Sequence, residues 1–443
     1  MSRRRTIAIG AGIAAAGAAL GRRRTMRVPT DPFDPNAIRA ETAAARTAEI
    51  IAKPRVRRLD LAQTYAPAIS TAVDPLLHGR RYFPRMLDDI AAATNHVHLL
   101  IYGYKSGDIG ETFLTALSDK VAAGVEVRLA VDAIGSEVDF GSKALFRRLR
   151  DAGVEIVAHD GIVVLRSGEL GTRKFKAHGE DLLHFDHRKM AVIDGRVGYV
   201  GGSGIEDHYN DERFYDVMCR VEGPIVAQLQ SVFLLSWRHH GGGAPTDPSL
   251  AEYFPPDALR VPADAAFHTP TTVLWNVPGT GHHPISDAIE QALDDAADEI
   301  HIVNPYISNR AILERIHQAA LRGVKVRLIA PGKPTPPYPA AAFRHWYGRL
   351  IDAGVEILLH PEMAHAKVLR IDEQVLIGGC NLDDLSLFRN DELDLLFADP
   401  AVAELTERSI FDELQAMSIP ATAVTAARQR AWNAAMDRVS RLL

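Results

Sequence analysis

Short runs of apolar residues alternate along this chain with segments in which apolar residues recur every three to four positions. The runs at 97–102, 124–132 and 152–157 are typical of buried strands, and the segment at 83–90 has the spacing of an amphipathic helix. Because strands and helices alternate, the pattern predicts an α/β protein whose sheets are mixed and largely parallel.

The same order of elements occurs a second time. Residues 285–297 have a helical pattern, and residues 299–304 and 323–329 read as strands. The sequence Asp-Ala-Gly-Val-Glu-Ile occupies 151–156 and recurs, unchanged, at 352–357. The repeat predicts two homologous α/β sandwich halves related by a pseudo-twofold axis, with the active site at their interface.

Composition shifts suggest where these halves begin and end. We predict a signal or membrane-anchor segment, an N-terminal extension, two halves joined by a Gly/Pro-rich linker, and a basic amphipathic tail. Their predicted bounds are, in that order, 1–24, 25–75, 76–238, 239–264, 265–425 and 426–443. The extension either packs on the outside or stays partly loose, and the tail either lies on an anionic membrane surface or caps the fold.

Composition excludes some functions. The net charge of the 443 residues is −6, which argues against bulk nucleic-acid binding. The two cysteines, Cys219 and Cys380, exclude a disulfide framework and a cysteine zinc cluster, and we expect both to be buried as small apolar groups. The histidine pairs 239–240 and 282–283 lack a carboxylate frame, so we expect exposed loop histidines rather than metal ligands.

The first 24 residues carry arginine triplets on both sides of an apolar run rich in alanine and glycine. Three interpretations stay open: an export signal, a membrane anchor shorter than the roughly 18–20 residues of a spanning helix, or an alanine-rich extension. We favour membrane association, either peripheral or through this anchor, with export as an option.

The pattern His-x-Lys-x-x-x-x-Asp occurs at the matching point of each half. The first copy comprises His187, Lys189 and Asp194, and the second comprises His365, Lys367 and Asp372. Glycine pairs follow both copies, at 201–202 and 378–379. One such motif arises easily by chance, but two copies at matched positions indicate a catalytic site.

The residue types fit the cleavage of a phosphodiester. On a strand, the histidine and lysine of each motif point to the same face. One neutral imidazole can attack phosphorus to give a phosphohistidine, and the other can protonate the leaving oxygen. The lysines balance phosphate charge, a carboxylate can fix an imidazole tautomer, and no metal ion or other cofactor is required.

These residues resemble the phospholipase D superfamily, and within it the bacterial cardiolipin synthases. The matching segments are 131–136, 187–196, 215–217, 221–224, 381–383 and 390–392. The resemblance implies that the six motif residues are catalytic and that the lysines bind phosphate. It also implies that His187 is the nucleophile and His365 the acid, although the reverse order stays open.

Further residues are candidates for the substrate site. The glycine pairs, with Gly202 among them, leave room for a phosphate, and Asn381 occupies a position where the family has asparagine. The first half departs from that pattern with Ser203-Gly204. Ser203, Asp216 and Glu392 either support the site or are ordinary polar residues of turns and strand edges.

The resemblance implies a membrane-associated bacterial phosphatidyltransferase that acts on a phospholipid, with phosphatidylglycerol as the expected substrate. The alternatives are a phospholipase D that forms phosphatidic acid, a superfamily nuclease, and a lipid-binding relative without activity. Acidity and the apolar N-terminus speak against a nucleic-acid partner. A loop at 159–186 with a basic cluster at 173–176 either contacts an anionic headgroup or is a solvated surface loop.

Overall fold

A computed structural model describes residues 37–138, 141–159, 184–244, 247–336 and 338–421. The predicted N-terminal segment, the basic cluster at 173–176 and the tail from 426 lie outside these residues. No helix within the described ranges is both long enough and apolar enough to cross a membrane.

The strands of the described residues are β1 (Ala68–Ser70), β2 (Ala72–Leu77), β3 (His96–Ile101), β4 (Glu126–Asp132), β5 (Glu155–His159), β6 (Lys189–Ile193), β7 (Val197–Gly201), β8 (Phe214–Tyr215), β9 (Val217–Glu222), β10 (Thr269–Asn276), β11 (Glu299–Val303), β12 (Lys325–Pro331), β13 (Glu356–His360), β14 (Met363–Ala364), β15 (Val368–Ile371), β16 (Gln374–Gly378), β17 (Glu392–Ala398) and β18 (Ile419–Pro420).

The α-helices of the described residues are α1 (Ala43–Ile51), α2 (Arg58–Leu61), α3 (Gly79–Ala92), α4 (Asp108–Ala122), α5 (Lys143–Asp151), α6 (Ile225–His239), α7 (Asp247–Tyr253), α8 (Pro284–Asp295), α9 (Arg310–Leu321), α10 (Tyr338–Asp352), α11 (Asp384–Phe388), α12 (Pro400–Thr406) and α13 (Asp412–Met417). Short 3-10 turns occupy Ala40–Thr42 and Asp207–Tyr209, and a π-helical turn occupies Glu407–Phe411.

Each half is built on one mixed sheet. Among the described residues, the first sheet has the order β2-β9-β7-β6-β3-β4-β5, and the second has the order β1-β10-β17-β16-β15-β11-β12-β13-β18. Three neighbouring strands in each sheet are parallel, namely β3-β4-β5 and β11-β12-β13, while the motif strands β6 and β15 pair antiparallel. The predicted pair of homologous α/β halves with mixed sheets is confirmed. The expectation that the sheets are largely parallel is wrong, because most neighbouring strands pair antiparallel.

The halves share their core. Helix α6 is buried on all sides from Ile225 to Trp237, which explains why its sequence lacks a polar face. One apolar cluster around it includes Val200 from the first sheet and Ile377 from the second. The two sheets therefore bury their inner faces against this shared set of side chains, and each half also has a separate apolar cluster of its own.

The predicted extension packs inside this arrangement. Helix α1 lies on α6, where Thr47 Oγ1 and Ser231 Oγ are 2.5 Å apart in a buried hydrogen bond. Strand β1, which precedes the first half in the sequence, pairs antiparallel with β10 of the second sheet. The expectation that this segment lies outside or is loose is therefore wrong for residues 37–70.

The histidine pairs are also not exposed. His282 and His283 are buried, and His282 Nε2 lies 3.0 Å from the Gln63 carbonyl oxygen. His239 ends α6, and His240 Nε2 lies 3.1 Å from Asp186 Oδ2. Glycine and proline around these positions predicted surface loops, but the linker folds back onto the first half. Cys219 and Cys380 are buried and free, as expected.

Candidate active site

The two motifs meet through backbone hydrogen bonds that cross between the halves. The His187 amide donates to the Asp391 carbonyl oxygen at 3.0 Å, and the His365 amide donates to the Tyr215 carbonyl oxygen at 2.7 Å. Strand β14, just before His365, also pairs in parallel with β8 of the first half. Each histidine is therefore held at the start of its own motif by the opposite half.

Each imidazole is bound by a carboxylate from the other half. His187 Nδ1 lies 2.8 Å from Glu392 Oε1, and His365 Nδ1 lies 2.6 Å from Asp216 Oδ2. Both carboxylates follow directly after the carbonyl groups that anchor the histidine amides. A carboxylate on Nδ1 holds the ring in position and leaves Nε2 as the reactive nitrogen.

The motif lysines lie next to their histidines. Lys189 Nζ donates to the His187 carbonyl oxygen at 2.5 Å and stands 4.9 Å from the centre of the Tyr102 ring. Lys367 Nζ lies 2.6 Å from His365 Nδ1 and 3.6 Å from Asp216 Oδ2. Both ammonium groups are nearly inaccessible to solvent, so their charges act in a low-dielectric environment.

Burial and the lysine charges keep both imidazoles neutral. Burial, followed by Lys189 and Lys367, holds the pKa of His187 well below its usual range. Burial and then Lys367 lower the pKa of His365 to about 3, against the opposing effect of Asp216. A lysine of each motif thus acts on the histidine of the other, as expected for groups that share one site.

Burial and neighbouring charges also shift the pKa values of the lysines and carboxylates of the site. Burial lowers the pKa of Lys189 to about 7 and also lowers the pKa of Lys367. Burial raises the pKa of Glu392 to about 8, although Lys189 opposes this. For Asp216 burial acts in the same direction, but Lys367 and His365 outweigh it and lower the pKa. An anion that binds here stabilises the charged forms of the two lysines.

The motif aspartates are not part of this cluster. Asp194 accepts hydrogen bonds from the backbone amides of Thr94, Asn95 and His96, and Asp372 does the same for residues 297–299. Both have positive φ, 53° and 51°, in the turns that follow the motif strands. Their predicted catalytic role is therefore corrected to a structural one: they fix the starts of β3 and β11.

Of the other predicted substrate-site residues, Gly202 and Ser203 have structural contacts, whereas Asn381 lines a cleft. A side chain at Gly202 would collide with the Asp216 carboxylate, so this glycine makes room for a carboxylate rather than a phosphate. The Ser203 hydroxyl accepts from Tyr82 at 2.8 Å and donates to the Gly204 carbonyl oxygen, which directs it away from the histidines. Asn381, by contrast, lines the same cleft as His187.

That cleft contains residues that the sequence patterns did not single out. It is lined by Tyr102, His187, Tyr306, Asn381, Asp383 and Asn390, among others. The ring of Tyr102 lies 4.8 Å from that of His187, and Tyr209 Oη lies 3.5 Å from His365 Nδ1. Tyr102 ends a predicted buried strand, which was the one available signal, whereas nothing in the local sequence marks Tyr209.

A buried ion-pair network stands behind the first motif. His184 Nε2 lies 2.6 Å from Asp391 Oδ2, and Arg58 Nη1 of α2 lies 3.2 Å from the same oxygen. Arg188 and Asp186 form a second buried pair at 2.6 Å. Because Asp391 anchors the His187 amide, this network connects the N-terminal helices to the site. Within the described part of the chain, no group of three or more His, Cys, Asp or Glu side chains could hold a metal ion.

Comparison with known proteins agrees with this geometry. The family model described as "Cardiolipin synthase, PLD-like domain" matches residues 86–237 and 289–414. The cardiolipin synthase of Listeria innocua is 28% identical over 384 residues, which cover 84% of this chain and 74% of that protein. The major cardiolipin synthase ClsA of Bacillus subtilis is 28% identical over 383 residues, with the same coverage of both chains.

A solved structure shows the same fold. The phosphatidylserine synthase of Haemophilus influenzae superimposes with a TM-score of 0.62 at 13% identity, covering 91% of this chain and 98% of that one. Since the family model matches more than half of the chain and includes both motifs, this protein belongs to the phospholipase D superfamily, in the cardiolipin synthase family of PLD-like domains.

Proposed function

We propose that this protein is a membrane-associated phosphatidyltransferase of cardiolipin synthase type that works through a phosphohistidine on His187. The observation that carries the proposal is the crossed pairing of the histidines: Glu392 with His187, and Asp216 with His365. Two imidazoles oriented from opposite halves supply both an attacking group and a proton donor for in-line displacement.

In the first step, Nε2 of His187 attacks the phosphorus of a phospholipid. The lowered pKa of His187 keeps the ring unprotonated, so its lone pair is available at neutral pH. The ring becomes positively charged as the P–N bond forms, and this charge favours the ionised form of Glu392, which stabilises it from Nδ1 even though burial raises the Glu392 pKa to about 8. The P–O bond to the headgroup breaks, and His365 protonates the departing oxygen.

His365 must carry a proton for this role, and substrate binding favours it. Without phosphate, burial and Lys367 disfavour the imidazolium. A bound phosphodiester anion compensates the lysine charges, and Asp216 at 2.6 Å then stabilises the protonated ring. The negative charge of the substrate likewise favours the protonated forms of Lys189 and Lys367, which bind the non-bridging oxygens. These groups provide the required charge, so the proposed mechanism contains no cofactor.

In the second step an acceptor alcohol replaces the first headgroup. Its hydroxyl proton passes to His365, its oxygen bonds to phosphorus, and the P–N bond to His187 breaks. The relatives named above are cardiolipin synthases, and for this chain we propose phosphatidylglycerol as both donor and acceptor and a bacterial membrane surface as the place of reaction. The alternative outcome, with water as acceptor, uses the same residues and gives phosphatidic acid.

The decisive experiment gives vesicles of labelled phosphatidylglycerol to the purified full-length protein. Cardiolipin and glycerol are the expected products. Phosphatidic acid as the main product would assign a hydrolase instead, and cleavage of single-stranded DNA without lipid turnover would contradict a lipid substrate.

A labelled phosphatidyl-p-nitrophenol tests the histidine roles. Because p-nitrophenolate leaves without protonation, the His365→Ala variant should still form a covalent adduct, whereas His187→Ala should form none. An adduct in His187→Ala and none in His365→Ala would reverse the assignment. Wild-type protein quenched with acid and with base is the control, since a phosphohistidine is labile in acid and more stable in base.

A further inference from the structure

The two halves of the active site differ at one pair of equivalent positions. When Gly202 is matched to Gly379, Gly204 corresponds to Asn381 and Glu206 to Asp383. The fold supports this alignment, because Ile205 bridges Tyr104 in the first half as Leu382 bridges Ile307 in the second. The second half thus places an amide next to its glycine pair, and the first half has no side chain there.

A carboxylate occupies the space that the missing side chain would take. A Cβ atom at position 204 would lie 2.5 Å from the Gly103 carbonyl oxygen and 2.9 Å from Glu206 Oε1. A side chain at Gly103 would also collide with the Glu206 carboxylate. The two glycines therefore form a recess for Glu206, and the backbone oxygen of Gly103 prevents residue 204 from carrying a side chain.

Glu206 lies next to both motifs. Gly103 follows Tyr102, whose ring contacts His187 and Lys189. The Glu206 charge is one of those that oppose the burial-driven lowering of the Lys189 pKa, and after burial and Asp216 it contributes to the raised pKa of Tyr209. Tyr209 in turn contacts His365. Glu206 thus adjoins residues that contact the histidines of both motifs.

The two oxygens of Glu206 have different surroundings. Oε2 lies 3.0 Å from Lys105 Nζ, and Lys105 also approaches Glu137 at 3.7 Å. Oε1 lies over the recess formed by Gly103 and Gly204. The Glu206 side chain is 11% exposed, so it is not fully closed off from solvent.

We propose that Glu206 is a specificity-determining residue that accepts hydrogen bonds from the hydroxyl groups of a polyol acceptor, such as a glycerol headgroup. This inference rests on the proposed function and names the chemistry of its second substrate. An asymmetric site of this kind distinguishes the acceptor from the donor, because the amide of Asn381 and the carboxylate of Glu206 prefer different groups.

The charges around Glu206 favour a neutral polyol. A carboxylate repels phosphate, so Glu206 is not a ligand for the donor phosphodiester. Lys105 already compensates its charge, so a cationic headgroup would gain less than at an unpaired carboxylate. Hydroxyl groups can donate to a carboxylate oxygen whether or not it is paired, and hydrogen bonds to ionised acceptors are the stronger ones.

Glu206 does not take part in bond formation. One hydroxyl of the acceptor gives its proton to His365 while its oxygen bonds to phosphorus, and the P–N electrons return to the His187 ring. The second hydroxyl of the same polyol donates to Glu206. Removal of the Glu206 carboxylate should therefore change which acceptor reacts and leave the first chemical step intact.

The test follows how the phosphatidyl-enzyme partitions between acceptors. Labelled phosphatidyl-p-nitrophenol in mixed vesicles is the donor, release of p-nitrophenol reports the first step, and glycerol, ethanolamine and water compete in the second. In Glu206→Gln, which preserves the side-chain shape, the ratio of phosphatidylglycerol to phosphatidic acid should fall about tenfold, while p-nitrophenol release stays within about twofold of wild type. Glu137→Gln is the matched control, since Glu137 faces the same Lys105, and its ratio should not change.

Three results would overturn the inference while leaving the proposed function intact. The glycerol-to-water ratio could be unchanged in Glu206→Gln. Release of p-nitrophenol could fall as much as transfer, which would mean that Glu206 acts on Lys189 rather than on the acceptor. Transfer to ethanolamine alone could fall, which would indicate a cationic acceptor. No release of p-nitrophenol by wild-type protein would instead overturn the proposed function, and this inference with it.

Discussion

At the scale of single residues, the site depends on placing two ammonium groups and two imidazoles where water is largely excluded. Burial, with a further contribution from Lys367, lowers the pKa of Lys189 to about 7, within the range in which a cell operates. The pKa values of both imidazoles are lowered, although a neighbouring carboxylate would raise them, because burial and the lysines outweigh Asp216. The buried lysines of the free site therefore favour the binding of an anion, and the charge of Lys189 depends on pH near 7.

The pH dependence of kcat/KM should report this lysine. As pH rises above about 7, Lys189 in the free protein loses its proton and with it the charge proposed to bind phosphate, so the slope of log kcat/KM against pH should become more negative by about one. The proton needed by His365 should add a slope that begins at lower pH, because the pKa of His365 in the free protein is about 3. The depressed pKa of His187 means that the ring remains unprotonated below its usual pKa of about 6.5, so no loss of activity should begin at pH 6.5 on the acid side. Initial rates on phosphatidylglycerol vesicles between pH 5 and 9, in buffers of constant ionic strength, measure both limbs.

The matched variant for this profile is Lys189→Arg. A guanidinium does not deprotonate in this range, so the basic limb should move to higher pH even if the maximal rate falls. A basic limb that stays near pH 7 in this variant would assign the titration to another group, such as Glu392.

At the scale of elements, strands and helices from opposite ends of the sequence hold the motif histidines. Asp391 precedes β17, and its carbonyl oxygen accepts from the His187 amide. Its side chain is bound by His184 and by Arg58 of the short helix α2. The motif aspartates hold the far ends of the motif strands, because each accepts hydrogen bonds from three backbone amides. The elements that carry the chemistry are thus fixed at both ends.

Removal of Arg58 should loosen this arrangement. In Arg58→Met the nearly inaccessible Asp391 carboxylate loses a charged donor, so the free energy of unfolding should fall by about 1–3 kcal/mol. The rate of cardiolipin formation should also fall, because Asp391 positions the His187 backbone. Urea denaturation and vesicle assays at one protein concentration measure the two effects.

The neighbouring residue provides the control for that prediction. Arg57 is exposed, so Arg57→Met should change stability by less than about 0.5 kcal/mol. Equal losses in the two variants would show that the charge of the segment matters, and not the contact between Arg58 and Asp391.

At the scale of the whole molecule, the two halves are one folding unit. They share an apolar cluster around α6, they exchange carboxylates at the site, and β1 crosses from the first half of the sequence into the second sheet. A sequence repeat usually suggests two domains that fold separately. Here each half has an apolar cluster of its own, but the shared cluster and the two histidine–carboxylate pairs are complete only when both halves are present.

A core substitution in one half should therefore destabilise both. Ile377→Ala removes a fully buried side chain of β16 and should lower the free energy of unfolding by about 2–5 kcal/mol. Calorimetry should show one transition that moves to lower temperature as a unit. Two transitions, with only one displaced by the substitution, would contradict a shared core. Leu321→Ala is the control, since Leu321 is 60% exposed and should have little effect.

Much of the fold followed from local patterns. The repeated order of strands and helices, the shared sequence at 151–156 and 352–357, and the paired motifs predicted two homologous halves, and the structure and the family match confirm this. The strand patterns at 97–102, 124–132 and 299–304 correspond closely to β3, β4 and β11. The bounds of the halves stay a prediction, and the fold does not follow them strictly, because β1 and the linker pack across them.

The sequence by itself determined the candidate chemistry: two matched histidine–lysine motifs suited to phosphodiester cleavage, and the family in which such motifs occur in duplicate. Only the tertiary structure decided which carboxylates serve them. Glu392 lies 205 residues from His187, and Asp216 lies 149 residues from His365, so no local spacing connects these pairs. The nearer aspartates of the motifs satisfy backbone amides instead, and Glu206 gains its position from two glycines on separate elements. The residue type decides what a side chain can do, and periodicity predicts which face of its element it occupies. Its partners depend on how the two halves pack.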